Sequence, residues 1–146
     1  MRSMLIERVA GLIVAVHDEQ NPSESDWDAY VALVKESLKD GAYFRGVLVT
    51  SLGGAPNAGQ RKSLQTIADS QVYRTCICTD SVVARGVIIA INWLFSTPMH
   101  ALPYRDLDRA LEILEVPLGE RSVAKAAVLR LQSALRDDDL RHNVSA

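Results

Sequence analysis

Several features are scarce in this chain, and each scarcity excludes a class of protein. No run approaches the roughly 20 apolar residues of a bilayer-spanning helix, and the first eight residues carry no apolar stretch long enough for a signal peptide. The 16 basic and 18 acidic residues nearly cancel, to a net charge of -2. Because the basic residues are scattered and do not form a patch, this charge balance does not favour binding to nucleic acid. We therefore expect neither a transmembrane segment nor a nucleic-acid partner.

Cysteine is also scarce, with only Cys76 and Cys78, both in an apolar run. Side chains two residues apart on a strand share a face, but such close neighbours cannot easily form an unstrained disulfide. Buried free thiols are therefore predicted, which favours a reducing compartment. We expect the protein to be cytoplasmic.

What the chain does contain is ordinary for a globular protein: 146 residues, of which 48% are apolar and 23% charged. Strands are predicted at 4–6, 11–16, 45–52, 72–79 and 99–102, and helices at 27–38, 58–68, 82–95, 106–114 and 122–135. Residues 87–91 alone would also fit a buried strand, but the length and cap of the segment favour a helix. The order predicts an α/β fold, in which a mixed sheet of about five strands carries helices packed on it and an extra C-terminal helix follows. The domain is expected at 1–117, with the helix and a loose, charged tail from Asp137 in 118–146.

A glycine-rich turn from Gly53 to Ser63 connects the third strand to the second helix. Backbone amides in such a turn can bind an anion, helped by the positive end of the helix dipole. A Walker A loop, however, needs a lysine directly after its second glycine, and Gln60 stands there, with Lys62 displaced by two residues. The spacing excludes that motif. Two interpretations stay open: a structural or partner-contacting turn, or a phosphate or other anion site.

Chemically active side chains are few and do not converge. His17 ends a strand beside Asp18 and Glu19, a pattern that favours a solvated strand end over a metal site. Asp80 is interpreted as a helix cap rather than an acid or base. No serine occupies a nucleophile-elbow sequence, and buried thiols are usually inert. We expect no catalytic residue, no metal site and no cofactor.

The third predicted helix is apolar around most of its circumference, although a helix outside a sheet needs only one apolar stripe. The excess must face another helix, a ligand pocket or a second molecule. Two interpretations stay open: the C-terminal helix covers it, or it is a docking or lipid-facing surface. The residues assigned to this possible apolar ligand or docking surface are Val87, Ile91, Trp93 and Phe95.

The order of elements, the glycine-rich turn and the sequence of residues 79–86 resemble the STAS-like domains, the sulfate transporter and anti-sigma factor antagonist group, especially their SpoIIAA-like branch. The resemblance covers about residues 3–116. It implies a short sheet covered by helices. It also implies that the turn after the third strand and the helix behind it contact a partner, such as an anti-sigma-factor-like kinase or another regulator.

Carried over to this chain, the resemblance places the partner surface in residues 52–63. The implied partner-binding residues are Gly53, Gly54, Asn57, Gln60 and Arg61. Family members that are switched by phosphorylation carry an Asp-x-Ser-Gly-like sequence at this helix start, where the phosphate adds charge at the docking site. Here Ala58 stands where that serine is expected, so we expect a module without the phosphoserine switch, with Ser51 and Ser63 as the nearby substitutes.

Three functions follow from these observations. The first is a cytoplasmic, non-enzymatic regulatory module that recognises another protein through the turn, with self-association left open. The second is a small-ligand or lipid-binding domain whose apolar pocket involves Val87, Ile91, Trp93 and Phe95. The third is an enzyme that acts on a phosphorylated substrate through His17 or the turn. It ranks last because no base, nucleophile and oxyanion donor can be assembled from these positions.

Overall fold

The computed structural model describes residues 2–68, 72–94 and 99–145. In this part of the chain, five strands form one mixed sheet in the order β1-β2-β3-β4-β5. The strands are β1 (Met4–Val9), β2 (Leu12–His17), β3 (Gly46–Ser51), β4 (Thr75–Thr79) and β5 (Met99–Leu102). The helices are α1 (Glu24–Leu38), α2 (Ala58–Ala68), α3 (Val82–Leu94), α4 (Leu107–Ile113) and α5 (Arg121–Val144), with short 3-10 helices at Gly41–Tyr43 and Leu118–Glu120. The predicted α/β fold class is confirmed, including the helix at α3.

β1 and β2 form an antiparallel hairpin, as the predicted tight turn requires. Its two turn residues are left-handed, Ala10 with φ 52° and Gly11 with φ 76°, which matches the twist of the flanking strands. A Cβ on Gly11 would lie 2.8 Å from the backbone oxygen of Tyr43, so the close approach also requires glycine. The hairpin pairs Val9 with Leu12, so the first strand extends three residues beyond its predicted end.

From β2 onward the strands are parallel, and α1, α2 and α3 connect them on one face of the sheet. Alternate residues of β2 point to opposite faces of the sheet. Ile13 and Ala15 pack under α1–α3, whereas Val14 and Val16 pack under α4 and α5. This alternation follows from the two-residue period of a strand. Both faces of the central strands are therefore buried, and the sheet carries two cores.

The C-terminal helix does not cover α3, so that interpretation of the apolar third helix is wrong. α5 lies against β1 and β2 on the opposite face, where Ala124 and Val128 are completely buried. Small side chains at these positions let the helix approach the sheet closely. α5 also continues to Val144, so the acidic residues from Asp137, expected in a loose tail, lie within a helix.

Candidate binding site at the carboxyl ends of the strands

The glycine-rich turn leaves β3 at the carboxyl edge of the sheet and is fixed there by hydrogen bonds. The Ser51 hydroxyl donates to the Gly54 oxygen (2.7 Å) and accepts from the Gly53 amide (3.0 Å). The Gly54 amide donates to the Asp18 backbone oxygen at 2.9 Å. A Cβ on Gly54 would lie 2.1 Å from the Gln20 backbone oxygen. The turn is thus packed against the segment that follows β2, and only glycine fits at position 54.

α2 begins with a reciprocal cap. The Gln60 amide donates to Asn57 Oδ1, the Asn57 amide donates to Gln60 Oε1, and both distances are 2.9 Å. Gln60 Nε2 also donates to the Pro22 backbone oxygen (3.0 Å) and to Glu24 Oε1 (3.3 Å). The Trp27 indole donates to the Gln60 backbone oxygen at 3.1 Å. Gln60 therefore joins α1 to α2.

The five residues that were assigned to partner binding differ in how accessible these contacts leave them. Gln60 is only 2% exposed and Gly54 is buried, so neither has a side-chain surface to offer a partner. Arg61 is half-buried, and its guanidinium donates to the Pro56 backbone oxygen at 2.9 Å. Gly53 is half-buried, and Asn57 is exposed. The residues serve first to build the turn, and part of it stays accessible.

α3 begins beside this turn. Its cap is Ser81, whose Oγ accepts from the Ala84 amide at 3.2 Å. Asp80, predicted as a cap, instead accepts from the Tyr104 amide at 3.1 Å and so holds the loop after β5. A Cβ on Gly53 would lie 3.8 Å from Ser81 Oγ. The turn and the start of α3 therefore form one continuous surface.

The four apolar residues assigned to α3 do not share a face. Val87 and Ile91 point toward the sheet and pack with the α1–α3 core, whereas Trp93 is 86% exposed. Phe95 lies outside the described residues. Trp93 instead aligns with two residues that sequence analysis did not assign, Val82 and Ile89, which are 85% and 59% exposed. These three, at i, i+7 and i+11 on the outer side of the helix, are called the α3 stripe below.

A cavity of about 50 Å³ lies between the sheet and α1–α3. Its walls are largely apolar and include Trp27, Leu64, Val87 and Ile91. Three polar side chains also reach it from the strands, and these are His17, Ser51 and Thr75. His17 and Ser51 are register partners at the last positions of β2 and β3, the sheet edge where open α/β folds bind ligands.

His17 is buried, with 6% of its surface exposed, so the expectation of a solvated strand end is wrong. Burial lowers the pKa of its imidazole to about 4, which makes the ring neutral at neutral pH. Its Nδ1 has no hydrogen-bond partner, and neither has the hydroxyl of Thr75, which is also buried. The sequence pattern points to His17 but not to its burial, which depends on helices distant in the chain, and it gives no signal for a role of Thr75.

Cys76 and Cys78 are free and buried, as predicted. They face α4, where their Sγ atoms point at the backbone oxygens of Ala110 and Asp106 at 3.8 and 4.0 Å. Burial raises the pKa of the Cys76 thiol to about 11 and that of Cys78 to about 12. Protonated thiols are poor nucleophiles, so this pair has a packing role at neutral pH.

A second cleft, of about 310 Å³, lies where α5 passes the end of β2. Asp18 is buried here, and the pKa of its carboxyl is raised, first by burial and further by the nearby carboxylates of Asp139 and Glu19. Asp139 Oδ1 is buried without a partner. No three His, Cys, Asp or Glu side chains in the described ranges are placed to hold a metal ion.

Comparisons with family models, with curated proteins and with solved structures find no match to this chain. The described helices also include none with both the length and the apolar character that crossing a bilayer requires. The function therefore rests on the geometry of the molecule itself.

Proposed function

We propose that this chain is a non-catalytic regulatory module of the STAS-like kind that binds another protein through the α3 stripe and the adjoining turn. One observation carries the proposal: Val82, Ile89 and Trp93 are exposed in line on one helix. The mixed sheet with helices packed on it is consistent with the fold that the family resemblance implies, which supports the same function. The buried free thiols favour the cytoplasm as its location.

The α3 stripe has the physical character of an interface core. It extends over 12 residues of helix, roughly 16 Å at 1.5 Å per step, and burying a side chain such as Val or Ile gains about 1.5–3 kcal/mol. Tryptophan is enriched among the residues that dominate binding energy. If the outer side of the helix contacted only water, these apolar side chains would not stabilise the fold. Their exposure therefore favours a binding partner.

The chemistry of the stripe defines the partner. Gly86 and Ala90 lie between its large side chains and leave space for side chains of the partner. The stripe itself has no charge, and Arg85 at its flank is engaged by its Nε with the Thr79 backbone oxygen at 3.2 Å. We therefore propose a protein with a complementary apolar surface, such as an anti-sigma-factor-like kinase. Because Ala58 replaces the family's serine, binding is expected without a phosphoserine switch at that position.

The test compares two substitutions of equal exposure on different helices. Ile89→Asp places a charge in the stripe, and Leu129→Asp places the same charge on α5, where Leu129 is 60% exposed. Tagged wild-type, Ile89→Asp and Leu129→Asp proteins are used to capture partners from a lysate of the native cell, and the bound proteins are identified by mass spectrometry. We expect one specific protein with wild type and with Leu129→Asp, and its loss with Ile89→Asp.

Two controls make the outcome decisive. Circular dichroism and unfolding midpoints should be alike for the three proteins, because both substituted side chains lie at the surface. Light scattering across a range of concentrations detects a second copy of the chain as the occupant instead. Equal capture by Ile89→Asp and wild type, or a concentration-dependent dimer that Ile89→Asp abolishes, would contradict docking of a different protein on the stripe.

The cavity beneath α1–α3 favours the second candidate function, a small-ligand-binding domain. Val87 and Ile91, two of the residues assigned to an apolar pocket, line this cavity. The proposed docking surface and the cavity occupy opposite sides of α3, so one helix could serve both.

A further inference from the structure

Two buried residues that line one cavity each carry a polar atom without a partner. The atoms are His17 Nδ1 and Thr75 Oγ1, and the two residues are 6% and 2% exposed. His17 also borders the second cleft, beside α5. Buried polar groups in native proteins are almost always hydrogen-bonded, and an exception calls for an explanation such as a bound molecule. Ser51, the third polar residue of the cavity, already donates to Gly54 and accepts from Gly53.

A single water molecule cannot serve both unpartnered atoms. Its volume of about 50 Å³ corresponds to roughly four water-sized volumes. His17 and Thr75 lie two strands apart, and Thr75 is four residues from the sheet edge, which places them roughly 16 Å apart by strand spacing. A buried water needs two to four polar partners, so one water cannot satisfy both atoms, and the walls of the cavity are largely apolar.

We propose that the cavity binds a small uncharged molecule with a hydroxyl group on a short hydrocarbon body, whose hydroxyl is hydrogen-bonded to His17 Nδ1. A hydroxyl both donates and accepts, so it suits either tautomer of a neutral imidazole. A charged ligand is disfavoured because no charged side chain lines the cavity and an unpaired buried charge is costly. The apolar body would contact Trp27, Leu64 and Val87, and the volume limits it to about four or five non-hydrogen atoms.

The lining is not uniformly buried. Most of it is buried, but Ala55, Pro56, Ile77, Val87 and Met99 are half-buried. Partly exposed residues therefore lie at the glycine-rich turn, on α3 and on the β4–β5 side of the cavity. The cavity lies on the inner side of α3 and the α3 stripe on its outer side, so the two proposals stand or fall separately.

The experiment uses 1-butanol as the hydroxylated probe and xenon as the apolar probe, with the full chain labelled with ¹⁵N and ¹³C. We expect butanol to shift the His17 Nδ1 resonance and the methyl resonances of Leu64 and Val87 along saturable curves. Xenon should shift the methyl resonances but leave the Nδ1 resonance nearly unchanged. Contacts between butanol protons and the His17 ring in nuclear Overhauser spectra should appear in the wild-type protein.

Two variants separate the roles of the unpartnered atoms. His17→Leu should weaken butanol binding at least tenfold and leave the xenon response, whereas Thr75→Val, at the distant end of the cavity, should bind butanol as wild type does. The proposal is overturned if wild-type shifts do not saturate, if His17→Leu binds butanol as well as wild type, or if only water contacts the His17 ring at saturating butanol. Should His17→Leu fail to fold, the wild-type ring contacts decide the question.

Discussion

The environment of His17 makes the stability of the protein depend on pH. Burial lowers the pKa of its imidazole to about 4, against 6.5 for the ordinary side chain. Its contribution to stability is therefore complete above pH 6.5 and is lost as the pH falls toward 4. At about 1.4 kcal/mol per pKa unit, the loss amounts to about 3 kcal/mol. Urea unfolding at a series of pH values from 7 to 4 measures it.

His17→Leu isolates this contribution. Asp18, next in the chain, acts in the opposite sense, since the pKa of its buried carboxyl is raised and its protonation favours the folded state as the pH falls. The variant keeps Asp18 and loses only the imidazole, so its stability should fall less steeply than that of wild type between pH 6.5 and 4. If the free energy of unfolding fell equally steeply with pH in both proteins, the folded protein would accommodate a charged ring at position 17.

At the scale of the elements, the turn after β3 depends on Gly54. A Cβ there would lie 2.1 Å from the Gln20 oxygen and 2.9 Å from the Asp18 oxygen, and both are backbone atoms that cannot swing away. Gly54→Ala should therefore lower the free energy of unfolding by more than about 2 kcal/mol, as for other overpacked sites. Thermal or urea unfolding measures the change.

Gly59 supplies the matched control for Gly54. It lies in α2, and the nearest atom to a Cβ there is Asn57 Oδ1 at 3.5 Å, an ordinary contact. Gly59→Ala should stabilise the protein by about 0.5–1 kcal/mol, because alanine favours helix and restricts the unfolded chain. If both substitutions had the same effect, the close packing of the turn against the segment after β2 would be refuted.

The elements themselves were largely predictable from the sequence because their causes are local. Short, largely apolar runs predicted all five strands. The helix predicted from residue 27 begins three residues earlier, at Glu24, where the Ser23 hydroxyl caps it by accepting from the Asp26 amide at 3.1 Å. The choice of helix for α3 was correct because 13 residues of apolar sequence are long for a strand.

Which helix packs on which face of the sheet was not predictable, because it depends on contacts between residues that are distant in the chain. The sequence of α5 shows an apolar side, but only the fold shows that Ala124 and Val128 meet the sheet rather than α3. The same limit applies to His17, whose acidic neighbours suggested exposure although helices later in the chain bury it. The unassigned Val82 and Ile89 had a detectable pattern, since they repeat with Trp93 at helical spacing.

At the scale of the whole molecule, residues 2–68, 72–94 and 99–145 form one sheet with a core on each face, and β2 contributes to both cores. Ile13 packs under α1–α3, and its neighbour Val14 packs under α5. A substitution that disrupts the packing on one face should therefore destabilise the other face as well, because a strand that leaves the sheet loses its contacts on both faces. We expect the described part of the chain to unfold in one cooperative transition.

Val128→Asp tests this coupling from the α5 side. Val128 is completely buried, and an unpaired carboxylate in its place should cost at least about 4 kcal/mol, a large part of the 5–15 kcal/mol typical of a domain. The readout is the fluorescence of Trp27, on the opposite face and 3% exposed, in a Trp93→Phe background that removes the exposed indole. Val128→Asp should lower the urea concentration at which Trp27 emission shifts to the red, whereas Leu129→Asp, one residue away, should leave it unchanged. A variant that lost α5 helicity but kept the emission of a buried Trp27 would show that the α1–α3 face folds without α5, because the sheet would then not need both cores.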